Sequence, residues 1–233
     1  MSWRITPTQP VPVDPVFNNV SLLLHGDGTN GSTTITDSSP TPKTVTAVGN
    51  AQISTAIADP FGNSTRGVLA FDGTGDYLTT ADSPSWDIAG DYTIEFWARM
   101  PTQSTASFTL VYLGTNAFVS SSGFLIGHYL GNLTIKLNGS SFISATAPML
   151  TNTWQHIAVV VQGASLLAYV GGIQVVSGSS ATTSTLISLV IGNGSDLDPN
   201  RWFNGYIDDL RITKGVARYT ANFTPPTAPF PDI

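Results

Sequence analysis

Hydrophobic and polar residues alternate in short runs along most of this chain. In Tyr92–Met100, Thr93, Glu95 and Trp97 fall on one side of an extended backbone and Ile94, Phe96 and Ala98 on the other. A period of two is the signature of a half-buried strand. Comparable runs are Val20–His25, Val45–Val48, Gln52–Thr55, Val68–Asp72 and Tyr77–Thr80. Phe108–Leu113, Phe124–His128, Leu133–Leu137 and Phe142–Ser144 follow, then Trp154–Val161, Leu166–Val170, Ile173–Val176, Leu189–Ile191 and Trp202–Thr213. Turn residues separate them, such as Gly73-Thr74-Gly75 and the hairpin pair Gly171-Gly172. Only Pro84–Ile88 and Val216–Tyr219 suit a single helical turn. The pattern predicts an all-β fold, an antiparallel sandwich of two sheets.

One run breaks the alternation. In Tyr206–Ile212, the apolar residues Ile207, Leu210 and Ile212 keep a common face only if one extra residue is inserted at Asp208-Asp209. That predicts a β-bulge, a device that can re-aim a carboxylate. The chain ends differ from the middle. Residues 1–17 are Pro-rich and aperiodic and predict an extended arm. Residues 216–233 form a second Pro-rich tail, leaving 18–215 as the globular domain. Such arms either wrap their own domain or dock on a neighbouring subunit.

Composition narrows the function. Only 10% of the 233 residues are charged and the net charge is -6. So few Lys and Arg exclude the basic footprint of a nucleic-acid binder. No apolar stretch is long enough to span a membrane. The N-terminus lacks the apolar core of a secretory signal. Cys is absent, which removes disulfides, thiolate metal sites and Cys nucleophiles. The acidic residues include a single Glu, Glu95, and many Asp sit beside Gly, Ser or Pro in turns, where the carboxylate bonds local backbone.

Several ordered segments resemble the laminin-G-like branch of the concanavalin A-like lectin/glucanase superfamily. They are Leu22–Gly28, Asp37-Ser38-Ser39, Leu69–Leu78, Tyr92–Trp97, Trp154–Ala158, Leu167–Gly172 and Asn204–Ile212. The resemblance implies a jelly-roll of two curved sheets, with Trp86, Trp97 and Trp154 at core positions. The ending, Thr213–Thr220 into Phe223-Thr224-Pro225-Pro226, is similar to the form of this domain found in bacteriophage virion proteins.

The superfamily contains retaining glucanases, which need two carboxyl groups about 5 Å apart. Their laminarinase-like members carry Glu-x-Asp-x-x-Glu on one strand. A chain with one Glu cannot hold that motif, so the reading is non-enzymatic. Glu95 then reads as a structural carboxylate paired with an Arg or a hydroxyl. His25, His128 and His156 lack the spacing of a zinc site. No Gly-x-Ser-x-Gly elbow and no phosphate-cradling loop is present.

Two kinds of site remain. Relatives of this fold hold a structural calcium with an acid on the last strand and oxygens from an early loop. Carried over, that implies Asp208 or Asp209 with the region of Asp27. The competing reading is a plain bulge with turn carboxylates. Exposed aromatic faces stack on sugars, and Phe118, Tyr129 and Trp202 lie at loops or strand ends, where packing or a subunit contact would equally use them.

Together these imply a capsid decoration protein, or a tail-fibre or adhesin module, of a bacteriophage. It would be made in the bacterial cytoplasm and reside in the virion. Its partners would be capsid or tail proteins, further copies in a homotrimer, and a host-surface glycan. The alternatives are a free bacterial carbohydrate-binding protein and a divergent glycoside hydrolase.

Overall fold

A computed structural model describes residues 12–87, 89–101, 107–114, 123–137, 143–179, 189–193 and 201–233. Each alternating run is a strand. They are β1 (Val20–Leu24), β2 (Val45–Val48), β3 (Gln52–Ser54), β4 (Val68–Asp72), β5 (Tyr77–Thr80), β6 (Tyr92–Arg99), β7 (Phe108–Gly114) and β8 (Gly123–Tyr129). Then come β9 (Asn132–Leu137), β10 (Ile143–Pro148), β11 (Gln155–Gln162), β12 (Ser165–Val170), β13 (Ile173–Ser179), β14 (Leu189–Ile191) and β15 (Asn204–Lys214). Sheet one runs β13-β12-β11-β6-β15-β4-β3, with β1 also paired to β15. Sheet two runs β10-β9-β8-β7-β14-β5-β2. All strand pairs within the sheets are antiparallel.

The main core lies between the sheets. Ile94, Phe96 and Ala98 of β6 meet Ile157, Val159 and Val161 of β11 and Leu110, Leu113 and Ile126 of sheet two. The opposite face of β6 carries Thr93, Glu95 and Trp97, as the alternation requires. The neighbouring strands depart from that rule. Ala158 and Val160 of β11 and Tyr169 of β12 also point away from the core, yet they are buried. A continuous apolar run such as Ile157–Val161 needs cover on both faces.

The cover is the C-terminal segment. Ala217, Tyr219 and Phe223 pack on Ala158, Val160 and Tyr169. The Tyr219 and Phe223 rings stack with centroids 3.6 Å apart. The Phe223 N–H donates to the Gly172 carbonyl. The chain passes so close that a Cβ on Gly172, which has φ +78°, would sit 1.9 Å from the Phe223 oxygen. Phe230 then packs on Val20 and Leu23, back at β1. Residues 216–233 therefore strap their own domain. The N-terminal segment joins them: the Asp14 N–H donates to the Ile233 carbonyl.

Two helical expectations divide. Pro84–Trp86 is a 3-10 turn, with the Ser83 hydroxyl accepting from the Ser85 N–H; Ile88 lies outside the described residues. Val216–Tyr219 is not helical. The Thr93 hydroxyl donates to the Val216 carbonyl and accepts from the Arg218 N–H, which takes the backbone groups a helical turn would use. Trp86 is fully buried, as the resemblance implies. Trp97 and Trp154 are only half-buried: Trp97 lies edge-on to Phe61 and Trp154 donates to the Ala58 carbonyl.

Candidate binding site

The bulge forms where β15 changes partners. β4 pairs with Asn204–Ile207, and β1 with Leu210–Thr213. Asp208 and Asp209 fall in the gap, where the register to β6 slips. Asp209 has φ +47°, a left-handed conformation that Asp tolerates better than most residues. Its carboxylate contacts His25 Nδ1 at 2.5 Å and accepts from the Phe230 N–H at 2.8 Å. Asp27 is turned away and forms a two-pronged pair with Arg66, at 2.8 and 2.9 Å. Asp208 differs from both. It is fully buried, and among the described residues neither of its oxygens meets a well-formed hydrogen-bond donor. Burial and the neighbouring Asp209 charge push its pKa up to about 9, against the pull of Arg66.

The three acids named for a calcium ion are thus adjacent but not convergent. Among the described residues, no three His, Asp or Glu side chains form a metal-holding group. Asp208 alone suits a ligand role, since a buried orphaned carboxyl takes either a proton or a cation. Asp59 is the carboxylate that the sequence did not single out. It is buried, its Oδ2 makes no hydrogen bond but lies 3.8 Å from Arg66 Nη1, and its charge is near enough to raise the Asp208 pKa. Its other oxygen accepts from Phe61 and Asn63 N–H groups, ordinary turn bonding that hides it in a sequence scan.

Glu95 lies beneath the strap. Arg211, its register partner on β15, donates from Nε and Nη2 to Oε1 at 3.0 and 2.8 Å. The Tyr219 hydroxyl donates to Oε2 at 2.7 Å, and His156 Nε2 stands 3.3 Å away. Burial would raise this carboxyl, but Arg211, His156 and Tyr219 outweigh it and hold the pKa at about 2. Asp14 extends the network by accepting from both Arg211 and Arg218. Glu95 is therefore a structural anion, buried in one ion-pair network with Arg211, Arg218 and Asp14.

The outer face of sheet two is different. Tyr112, Leu125 and Val190 form a small apolar cluster there, against Tyr77. Trp202 stacks on Tyr77 with centroids 6.1 Å apart, so one of its faces is used for packing. Near β8 a depression of about 330 Å³ opens, lined by Thr109, Leu125, His128, Tyr129, Ser144 and Arg201 among others. Tyr129 is 51% exposed at its rim. The Phe108 and His128 rings stack at 4.5 Å in its wall. Of the three aromatic residues named from the sequence, Tyr129 and Trp202 attach to this sheet, and Phe118 lies outside the described residues.

The fold is a two-sheet jelly-roll in which residues 216–233 strap part of the outer face of sheet one. A family model matches residues 72–218, more than half of the chain, and the protein belongs to that family, Laminin_G_3 of the Concanavalin A-like lectin/glucanases superfamily. No curated protein matches the sequence. Among solved structures, the binding domain of botulinum neurotoxin serotype D/C VPI 5993 is similar, with TM-score 0.63 and 16% identity over 85% of this chain. The binding domain of Paraclostridial Mosquitocidal Protein 1 gives TM-score 0.64 and 16% identity, again over 85%. A botulinum neurotoxin type C structure, whose cell entry depends on interaction with two ganglioside molecules, gives 0.62 and 17%. The chain covers 49%, 49% and 48% of those chains, about half their length. At such identity these neighbours share the fold.

Proposed function

We propose that this chain is a non-enzymatic glycan-binding module of a bacteriophage particle, as a capsid decoration protein or a tail-fibre module. The observation that carries the binding reading is the depression beside Tyr129. An exposed aromatic face packs against the apolar side of a pyranose, and the hydroxyls of Thr109 and Ser144 in the lining supply polar contacts. The engagement of the only Glu in an internal ion pair supports the non-enzymatic reading. The virion assignment is supported by the similarity of Thr213–Pro226 to virion forms of the domain. In that setting the molecule is a homotrimer seated on capsid or tail proteins.

One structural calcium ion in this reading would take Asp208 as its carboxylate ligand. It would neutralise that buried carboxyl at the bulge. Binding of the purified chain to a glycan array, with and without Tyr129→Ala, tests the saccharide site. Immunogold labelling of phage particles tests the location: label on capsid or tail is expected, and its absence from particles favours a free bacterial lectin.

A further inference from the structure

The strap leaves one part of sheet one uncovered. At the edge formed by β3, β4 and the start of β15, a depression of about 570 Å³ opens on the outer face. Its floor is a register row: Tyr206 of β15 pairs with Ala70 of β4, which pairs with Gln52 of β3. Alternation places all three on the same face. Ala70 is short, so the half-buried Tyr206 ring and the Gln52 amide stand on either side of a slot.

The polar groups around this slot divide into two sets. Asp72 and Asp76 are occupied. Asp72 accepts from the Thr74 N–H and the Asn50 side-chain amide, and Asp76 accepts from the Asn50 and Asp72 N–H groups. They fix the frame where the two sheets approach. Among the described residues, the Gln52 amide, the Asn204 amide and the Tyr206 hydroxyl have no hydrogen-bond partner. Asn30 gives only its carbonyl oxygen, to the Thr55 N–H, which leaves its NH₂ available. Side-chain amides offer a donor and an acceptor at one spacing, which matches adjacent hydroxyls on a sugar ring. An aromatic ring beside a small residue offers an apolar face to the ring's C–H groups.

We infer that this slot is a second ligand site, for a neutral saccharide, held by Gln52, Asn204 and Asn30 with Tyr206 as the stacking surface. Neutrality follows from the lining: two carboxylates and no Lys or Arg. An anionic sugar would meet only negative charge there. The site does not depend on the depression beside Tyr129. It occupies the other sheet.

The experiment is an array of neutral and sialylated oligosaccharides, probed with the full chain carrying Tyr129→Ala. Binding to neutral oligosaccharides is expected to persist. It should fall about tenfold, the loss of one good contact, in Tyr206→Ala and in the double variant Gln52→Ala/Asn204→Ala, with unchanged melting temperatures. Loss of all binding on Tyr129→Ala alone would leave the first site standing and overturn this one. Binding that survives Tyr129→Ala but drops with Tyr206→Ala would support this site. Retention of sialylated glycans only, or neutral binding indifferent to positions 52, 204 and 206, would also overturn it.

Discussion

The Phe230 N–H donates to Asp209 Oδ2 at 2.8 Å, so the strap is pinned to the bulge of the last strand. The Arg211 guanidinium lies 3.7 Å over the Phe230 ring, next to the same bulge. The ring is 5% exposed and closes the small core of Val20 and Leu23. Phe230→Ala should lower stability by about 3 kcal/mol, the cost of emptying a buried aromatic site. Urea denaturation checks this, with a lower midpoint and unchanged slope as the expected result.

The Glu95–Arg211 pair predicts acid behaviour. The carboxyl has a folded pKa of about 2, below its ordinary value of 4.5. A depressed folded pKa contributes stability that is fully present above the unfolded value and is lost as pH falls through the folded one. The melting temperature should therefore decline between about pH 4.5 and pH 2. Arg211→Ala should cost about 3 kcal/mol at neutral pH, because it leaves Glu95 buried with its main counter-charge gone. A melting temperature equal to wild type would contradict this.

Leu130 occupies a left-handed turn position with φ +49° and is 59% exposed. A branched residue gains nothing there to offset the backbone cost. Leu130→Asn should raise stability by about 1 kcal/mol, read as an increased melting temperature.

The proposed ion makes a separable prediction. Calcium should raise the melting temperature of the wild type and leave that of Asp208→Asn unchanged. Asp27→Asn should keep the calcium response, because Asp27 is engaged with Arg66. Identical wild-type melting in calcium and in chelator would remove the ion from the account.

Much of this was legible in local patterns. The strands follow from period two, and the bulge from the spacing of Ile207, Leu210 and Ile212. Glu95 as a structural carboxylate paired with an Arg or a hydroxyl was also readable, and Arg211 and Tyr219 supply both. The path of the strap was not. Pro-rich segments have no periodicity to mark a buried face, and the only hint was the doubly apolar run Ile157–Val161. Asp59 and the Gln52–Ala70–Tyr206 row were hidden for a related reason. They are assembled by strand register between residues far apart in sequence, and each looks ordinary in its own segment.

The central claim is that the outer face of sheet two binds saccharide through Tyr129. Its most direct measurement is the affinity of wild type and Tyr129→Ala for the strongest-binding oligosaccharide on a glycan array, with melting temperature recorded for both. The account predicts saturable wild-type binding that weakens about tenfold in the variant, a loss of the size expected for one aromatic contact, without a change in melting temperature. Equal affinity of the two proteins, or no saturable binding by the wild type, would contradict it.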